Sequence, residues 1–304
     1  AQFADFLRRE GLPDIQADEL AILPGMEEVA SLAQIGRQSR TGKYDCIVVD
    51  AAPTGETIRL LSMPESFQWY VGLMEGWRGR LGRLAGPFLR GTLPDLNVVD
   101  AIHRLADRVK ELRQSLVDAR RSSYRLVVTP DRMVLKEARR AETYLNLFGY
   151  PIDAVILNRV MELDEPDSLH VRALMERQRR LVSEVRQTFA SLPLLEAPFA
   201  IDEPIGVEVL ARLGQALFDH RDPTDVMHVG PTQMIERVGR GYLLRIPMPN
   251  VDVGRLTLAK RGDELFVEIG NVRREIALPR ALAALEPGQA RLREGMLDIP
   301  FNVM

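Results

Sequence analysis

The chain has 304 residues, 46% of them apolar and 27% charged, and a net charge of −3. This fits a soluble globular protein of one or two domains with a sizeable core, and the acidic balance argues against a nucleic-acid binder. A single cysteine, Cys46, excludes an intrachain disulfide and a cysteine-only metal site; no apolar run approaches the roughly 20 residues of a stable membrane span and the first residues form no signal peptide, so a reducing compartment is expected, the cytoplasm or an organelle stroma.

Phe3, Phe6 and Leu7 fall at helical spacing, as the tail of a helix would, and Gly11-Leu12-Pro13 breaks it. A second helix opens at Leu23-Pro24-Gly25-Met26, with Val29, Leu32 and Ile35 on one face. The run Cys46-Ile47-Val48-Val49 then predicts a buried parallel strand, because it is continuously apolar and rich in β-branched side chains. That strand is expected to end on Asp50, followed by the turn Ala51-Ala52-Pro53-Thr54-Gly55 and a helix through Ile58, Leu60 and Leu61.

A carboxylate just beyond the carboxyl end of a parallel strand can hold magnesium through water. Pro53 stiffens the turn, and Gly55 lets backbone approach a phosphate. The plainer alternative is an Asp50 that only caps the next helix.

Residues 65–96 interleave Phe67, Trp69, Tyr70, Met74, Trp77 and Phe88 with Gly72, Gly76, Gly79, Gly82 and Gly86 and an arginine edge. Apolar stripes of this period usually belong to a core helix pair. The glycines, each costing a helix about 1 kcal/mol relative to Ala, favour a mobile lid or groove instead.

A long helix is expected over residues 98–120, a second buried strand over Tyr124 to Val128, and a helix over Met133 to Leu147 closed by Gly149. A third strand runs from Ile152 and ends on Asn158, a charged helix covers 168–190, a fourth strand covers Leu192 to Leu195, and a helix runs from Gly206 to Phe218. Strand–helix alternation of this kind predicts an α/β fold with a doubly wound parallel sheet. Residues 221–241 are polar and turn-rich and read as a linker. The period then changes to two, with strands expected over Tyr242–Ile246, Arg255–Ala259, Glu264–Ile269, Val272–Leu278 and Met296–Phe301: a small all-β sandwich over 242–304.

The block Asp50-Ala51-Ala52-Pro53-Thr54-Gly55-Glu56-Thr57-Ile58-Arg59-Leu60-Leu61 resembles the arsenite-pump and tail-anchored-protein targeting ATPases, a deviant Walker A class of P-loop NTPases. The resemblance continues through Val128-Thr129-Pro130, Asn158-Arg159, Pro198 and Glu203-Pro204-Ile205-Gly206, and the C-terminal region resembles the α-crystallin (small heat-shock) domain that some members append. It implies an ATPase domain over 1–220, partial at its N-terminal end, with a helical insert at 65–96. It also implies ATP and Mg2+ as cofactors and a homodimer that grips hydrophobic client segments. Asp50 would be the carboxylate near magnesium, and Pro53, Thr54 and Gly55 the second switch that senses the γ-phosphate. Asn158 would meet the adenine edge, with Pro198 and Phe199 packed on the base. Phe67, Trp69, Tyr70, Met74, Trp77 and Phe88 would line the client groove.

The sequence departs from the family in three ways. It contains no Gly-x-x-x-x-Gly-Lys-Ser/Thr loop, the phosphate cradle of P-loop enzymes, which is therefore expected upstream of Ala1 together with the first switch. Glu56 stands where members often carry His. With Cys46 alone, neither a Cys-x-x-Cys zinc clamp nor arsenite-binding cysteines can form, so metalloid transport is not expected. From its own identity Asn158 could equally end a strand in a turn. The leading expectation is an ATP-driven chaperone or targeting factor; the alternative is an ATP-independent holdase acting through the β domain and the aromatic segment.

Overall fold

The computed structural model describes residues 26–51, 96–161, 168–200, 202–230, 233–239 and 241–302. It divides into two compact units, Ala1–Leu116 and Val117–Met304.

In the first unit, helix α1 spans Met26–Arg40 and buries Leu32 completely. Helix α2 spans Leu96–Val117 and buries Val109 and Leu112. Gly36 of α1 faces the Leu112 side chain of α2, where the two helices pack together. The expected strand at 46–50 is overturned. Residues 46–50 carry no regular structure, Val48 is 89% exposed, and Cys46 is exposed rather than buried. Apolar, β-branched side chains favour a strand, but a strand also needs a neighbour for its N–H and C=O groups. Among the described residues no strand pairs with this run.

The second unit begins with a parallel sheet of order β1-β2-β3, formed by Tyr124–Val128, Ile152–Val160 and Leu194–Pro198. Strand β2 is central and mostly buried, as its apolar run Ala154–Leu157 requires. Strand β1 corrects its expected burial: it is half-buried, with Val127 well exposed, because among the described residues only one side of it is paired.

Helix α3 (Arg132–Phe148) is capped by the Asp131 carboxylate, which accepts from the Met133 N–H at 2.7 Å. It ends where Gly149 turns left-handed at φ 78°, as its sequence position predicts. Helix α4 (Leu169–Thr188) starts on the Ser168 cap, and helix α5 (Val207–Phe218) follows β3. Val128, Leu135, Val155, Leu157, Val182, Val185 and Phe189 form the core between sheet and helices.

The segment read as a linker contains a strand, β4 (Met234–Val238), which pairs antiparallel with β5 (Gly241–Pro247). Among the described residues nothing pairs with its other edge, and nearly every residue of it is exposed, so it lacks the alternating pattern that betrays a half-buried strand. Strands β6 (Leu256–Arg261), β7 (Glu264–Ile269) and β8 (Val272–Ala277) form one antiparallel sheet. After a short helix α6 (Arg280–Ala283) come β9 (Glu286–Pro287), β10 (Arg291–Arg293) and β11 (Met296–Asn302). These complete a second sheet of order β10-β11-β5-β4, with β9 on β11. Leu244, Ile246, Leu265, Val267, Leu297, Ile299 and Phe301 are fully buried, which gives this small domain its own core.

The segment between the two parts is tied down. Arg125 on β1 bonds the buried Asp153 carboxylate of β2 and also donates to the carbonyls of Pro223, at 2.7 Å, and Asp225, at 2.9 Å. Asp153 accepts the Met227 N–H as well. Farther on, α3 packs against β1 and β2 and also against β5 and β8. Arg274 of β8, itself buried, donates to the Leu147 carbonyl at the C-terminal end of α3. No helix among the described residues is long and apolar enough to cross a membrane.

Candidate functional site

The carboxyl ends of β1, β2 and β3 carry Thr129-Pro130, Asn158-Arg159 and Pro198-Phe199, the edge where parallel sheets place their ligands. Strands β2 and β3 place Asn158 and the Pro198-Phe199 pair at the same sheet edge. Val160 is in register with Pro198, and the Phe199 N–H donates to the Val160 carbonyl at 2.8 Å.

Strand β2 does not end on Asn158 but runs two residues farther, through an irregularity between Leu157 and Val160. Within it Arg159 adopts φ 62°, in the left-handed region that side chains disfavour. The expected strand at Leu192–Leu195 likewise shifts to Leu194–Pro198, so Pro198 closes the strand itself.

The half-buried Asn158 has one end of its amide committed, since its Oδ1 accepts the Arg159 N–H at 2.8 Å. The NH2 end is the side of the group that can meet a ligand acceptor. Phe199 is 50% exposed and Pro198 is exposed beside it.

A residue that sequence reasoning passed over supports this edge. Gln178 of α4 is buried; its Nε2 donates to the Arg159 carbonyl at 3.0 Å and its Oε1 accepts the Met161 N–H at 3.2 Å. The only signal in the sequence was a polar residue three positions before Leu181 on the inward face of a charged helix.

Asp50 belongs to the first unit, where it is exposed at the end of the irregular run rather than on a strand. Pro53, Thr54, Gly55, Phe67, Trp69, Tyr70, Met74, Trp77 and Phe88 lie outside the described residues.

A second concavity of about 160 Å³ lies at the other end of the parallel sheet, at the junction with the β domain, lined in part by Glu142, Asn146, Tyr150, His228, Pro249 and Glu294. Burial pushes the Glu142 carboxyl from 4.5 up to about 7, against the pull of the Asn250 amide and of Arg139. Burial also holds the Tyr124 hydroxyl well above the usual phenol range. In the strapped segment, two hydrogen bonds from Thr224 hold the exposed Asp222 carboxyl below its usual range.

A parallel α/β layer followed by an antiparallel β domain is the architecture of a P-loop NTPase-like protein with an appended β module. The chain belongs to the anion-transporting ATPase family: the family model matches residues 1–219. A second model, an HSP20-like domain found in ArsA, matches residues 239–301. A Prosthecochloris vibrioformis protein described as an arsenical pump-driving ATPase is 34% identical over 301 residues, covering 97% of this chain and 74% of its own. An Aquifex aeolicus protein of the same description is 34% identical over 295 residues, 93% of this chain and 74% of its own. The ATPase GET3 of Chaetomium globosum is 24% identical over 215 residues, covering 68% of this chain and 63% of its own.

Proposed function

We propose that the protein carrying this chain is an ATP-hydrolysing dimeric targeting factor or chaperone whose nucleotide cycle opens and closes a surface for hydrophobic segments. The observation that supports the reading is that Asn158, with one end of its amide uncommitted, and the exposed Pro198 and Phe199 lie at the same carboxyl edge of the parallel sheet, in a chain of an ATPase family. Adenine fits this edge: its ring nitrogens accept, and the amide end that Asn158 leaves uncommitted donates.

In this reading Asp50 holds magnesium through water, and Pro53, Thr54 and Gly55 form the γ-phosphate sensor. Bound magnesium neutralises charge on the phosphates. The aromatic and Met side chains of 65–96 accept the client, since such surfaces adapt to varied apolar segments. The HSP20-like module is a docked adjunct, held by Arg274 and Asn250.

Magnesium-dependent ATP turnover by the full natural protein tests this reading. Turnover that Asp50→Asn lowers by at least about 100-fold, the scale for losing a metal-side carboxylate, is the expected result. No turnover, together with suppression of client aggregation that ATP does not alter, would replace it with the ATP-independent holdase.

A further inference from the structure

We propose that Gln178 on α4 is a positioning residue for nucleotide-base recognition: it holds the β2 irregularity in the one backbone arrangement that fixes which end of the Asn158 amide faces the base. The inference rests on the reading of Asn158 as the base-contacting residue.

The argument begins with two backbone groups. Val160 turns its carbonyl to β3, so the Arg159 carbonyl and the Met161 N–H on either side of it point away from β3, past Leu157 where the register with β1 has ended. Groups left so in a part-buried place cost free energy unless another partner is found. Gln178 supplies both partners at once, donating from Nε2 to one at 3.0 Å and accepting at Oε1 from the other at 3.2 Å. A carboxamide is the neutral side chain that can do both, and this one is buried to do it.

The second link is strain. Arg159 sits at φ 62°, which costs a non-glycine residue about 1–2 kcal/mol and persists only where the surroundings impose it. Its N–H, aimed by that conformation, reaches Asn158 Oδ1 at 2.8 Å. Release of the Arg159 carbonyl lets the residue relax toward ordinary strand geometry and withdraws the N–H that orients the Asn158 amide. An amide free to flip presents donor and acceptor ends alternately, and a base pays to select one.

Gln178 touches no ligand in this account, so its removal weakens recognition of the base and leaves recognition of the phosphates alone. The experiment measures the dissociation constants of ATP and of inorganic tripolyphosphate, which lacks a base, by calorimetry on the full natural protein. The variants are Gln178→Met, Gln178→Glu and Asn158→Ala, each also checked by thermal melting.

Gln178→Met, similar in size but unable to form either bond, is expected to weaken ATP by about tenfold, the factor for about 1.4 kcal/mol, with tripolyphosphate unchanged. Gln178→Glu keeps the bond from the Met161 N–H and loses the one to the Arg159 carbonyl, so it falls between wild type and Gln178→Met. Equal weakening of both ligands, or no weakening by Gln178→Met while Asn158→Ala weakens ATP alone, overturns the proposal. If Gln178→Met does not fold, Gln178→Glu decides: an unchanged ratio of the two constants overturns it. Failure of the underlying reading has its own signature, an ATP-to-tripolyphosphate ratio that Asn158→Ala leaves unchanged.

Discussion

Asn250, in the turn after β5, donates its side-chain amide to the buried carboxyl of Glu142 on α3, joining the β domain to the α/β part of the same unit. Asn250 can donate to Glu142 in either protonation state, but only the ionised state is penalised by burial. Arg139 on the same helix pulls the other way, and His228 and Glu294 line the same crevice. Glu142 titrates near 4.5 when unfolded and near 7 when folded. Between those values the folded state keeps a proton that the unfolded state has lost, so stability falls as pH rises and levels off above about 7.5. The full span is on the order of 3 kcal/mol. Urea unfolding at several pH values between 4.5 and 8 is expected to show this decline, and Glu142→Gln, which still accepts from Asn250, is expected to flatten it. A decline of equal size in the variant would place its origin elsewhere.

The Asp153 carboxylate gathers Arg125 and the Met227 N–H in a fully buried place, and Arg125 in turn holds two carbonyls of the segment 223–225. Removal of the carboxylate leaves a guanidinium without its counter-charge, which typically costs about 3–5 kcal/mol. Asp153→Ala is therefore expected to lower the melting temperature and to open residues 221–228 to thermolysin. Asp153→Asn, which still accepts from Met227, is expected to do less of both. Unchanged protease resistance in Asp153→Ala would mean that other contacts carry the strap.

Gly241 and Gly214 are expected to answer the same substitution with opposite signs. A methyl on Gly241 runs into the Phe301 carbonyl oxygen, part of the central β5–β11 ladder, where backbone cannot give way. Gly241→Ala is expected to destabilise the β domain by about 1–3 kcal/mol. Gly214, inside α5, has nothing within 4 Å of the added methyl. Gly214→Ala is expected to stabilise by roughly 0.5–1 kcal/mol through helix propensity alone. Chemical denaturation of the two variants beside wild type reads both signs.

The parts of this fold that depend on local chemistry were legible in the sequence. Gly149 marks the end of α3 because the chain must turn left-handed there, and the alternation through Glu264–Ile269 marks β7 because one face of it is buried. The parts that depend on neighbours were not. The Cys46–Val49 run has the composition of a strand but no partner among the described residues, and β4 has a partner but no apolar face to advertise it. At the candidate site, Asn158 and Pro198 could be named from the resemblance. The two-residue extension of β2 past a lapse in ladder register, and the two hydrogen bonds of Gln178 at its end, are features that composition and periodicity do not record.

Helix α3 is 17 residues long, a rod of about 25 Å. Its first turn springs from the Thr129-Pro130-Asp131 corner beside the candidate nucleotide edge, and its last turn is gripped by Arg274 and lies beside Asn250's hold on Glu142. The HSP20-like module is fastened to that far end, so one continuous helix joins the corner after β1 to the appended domain.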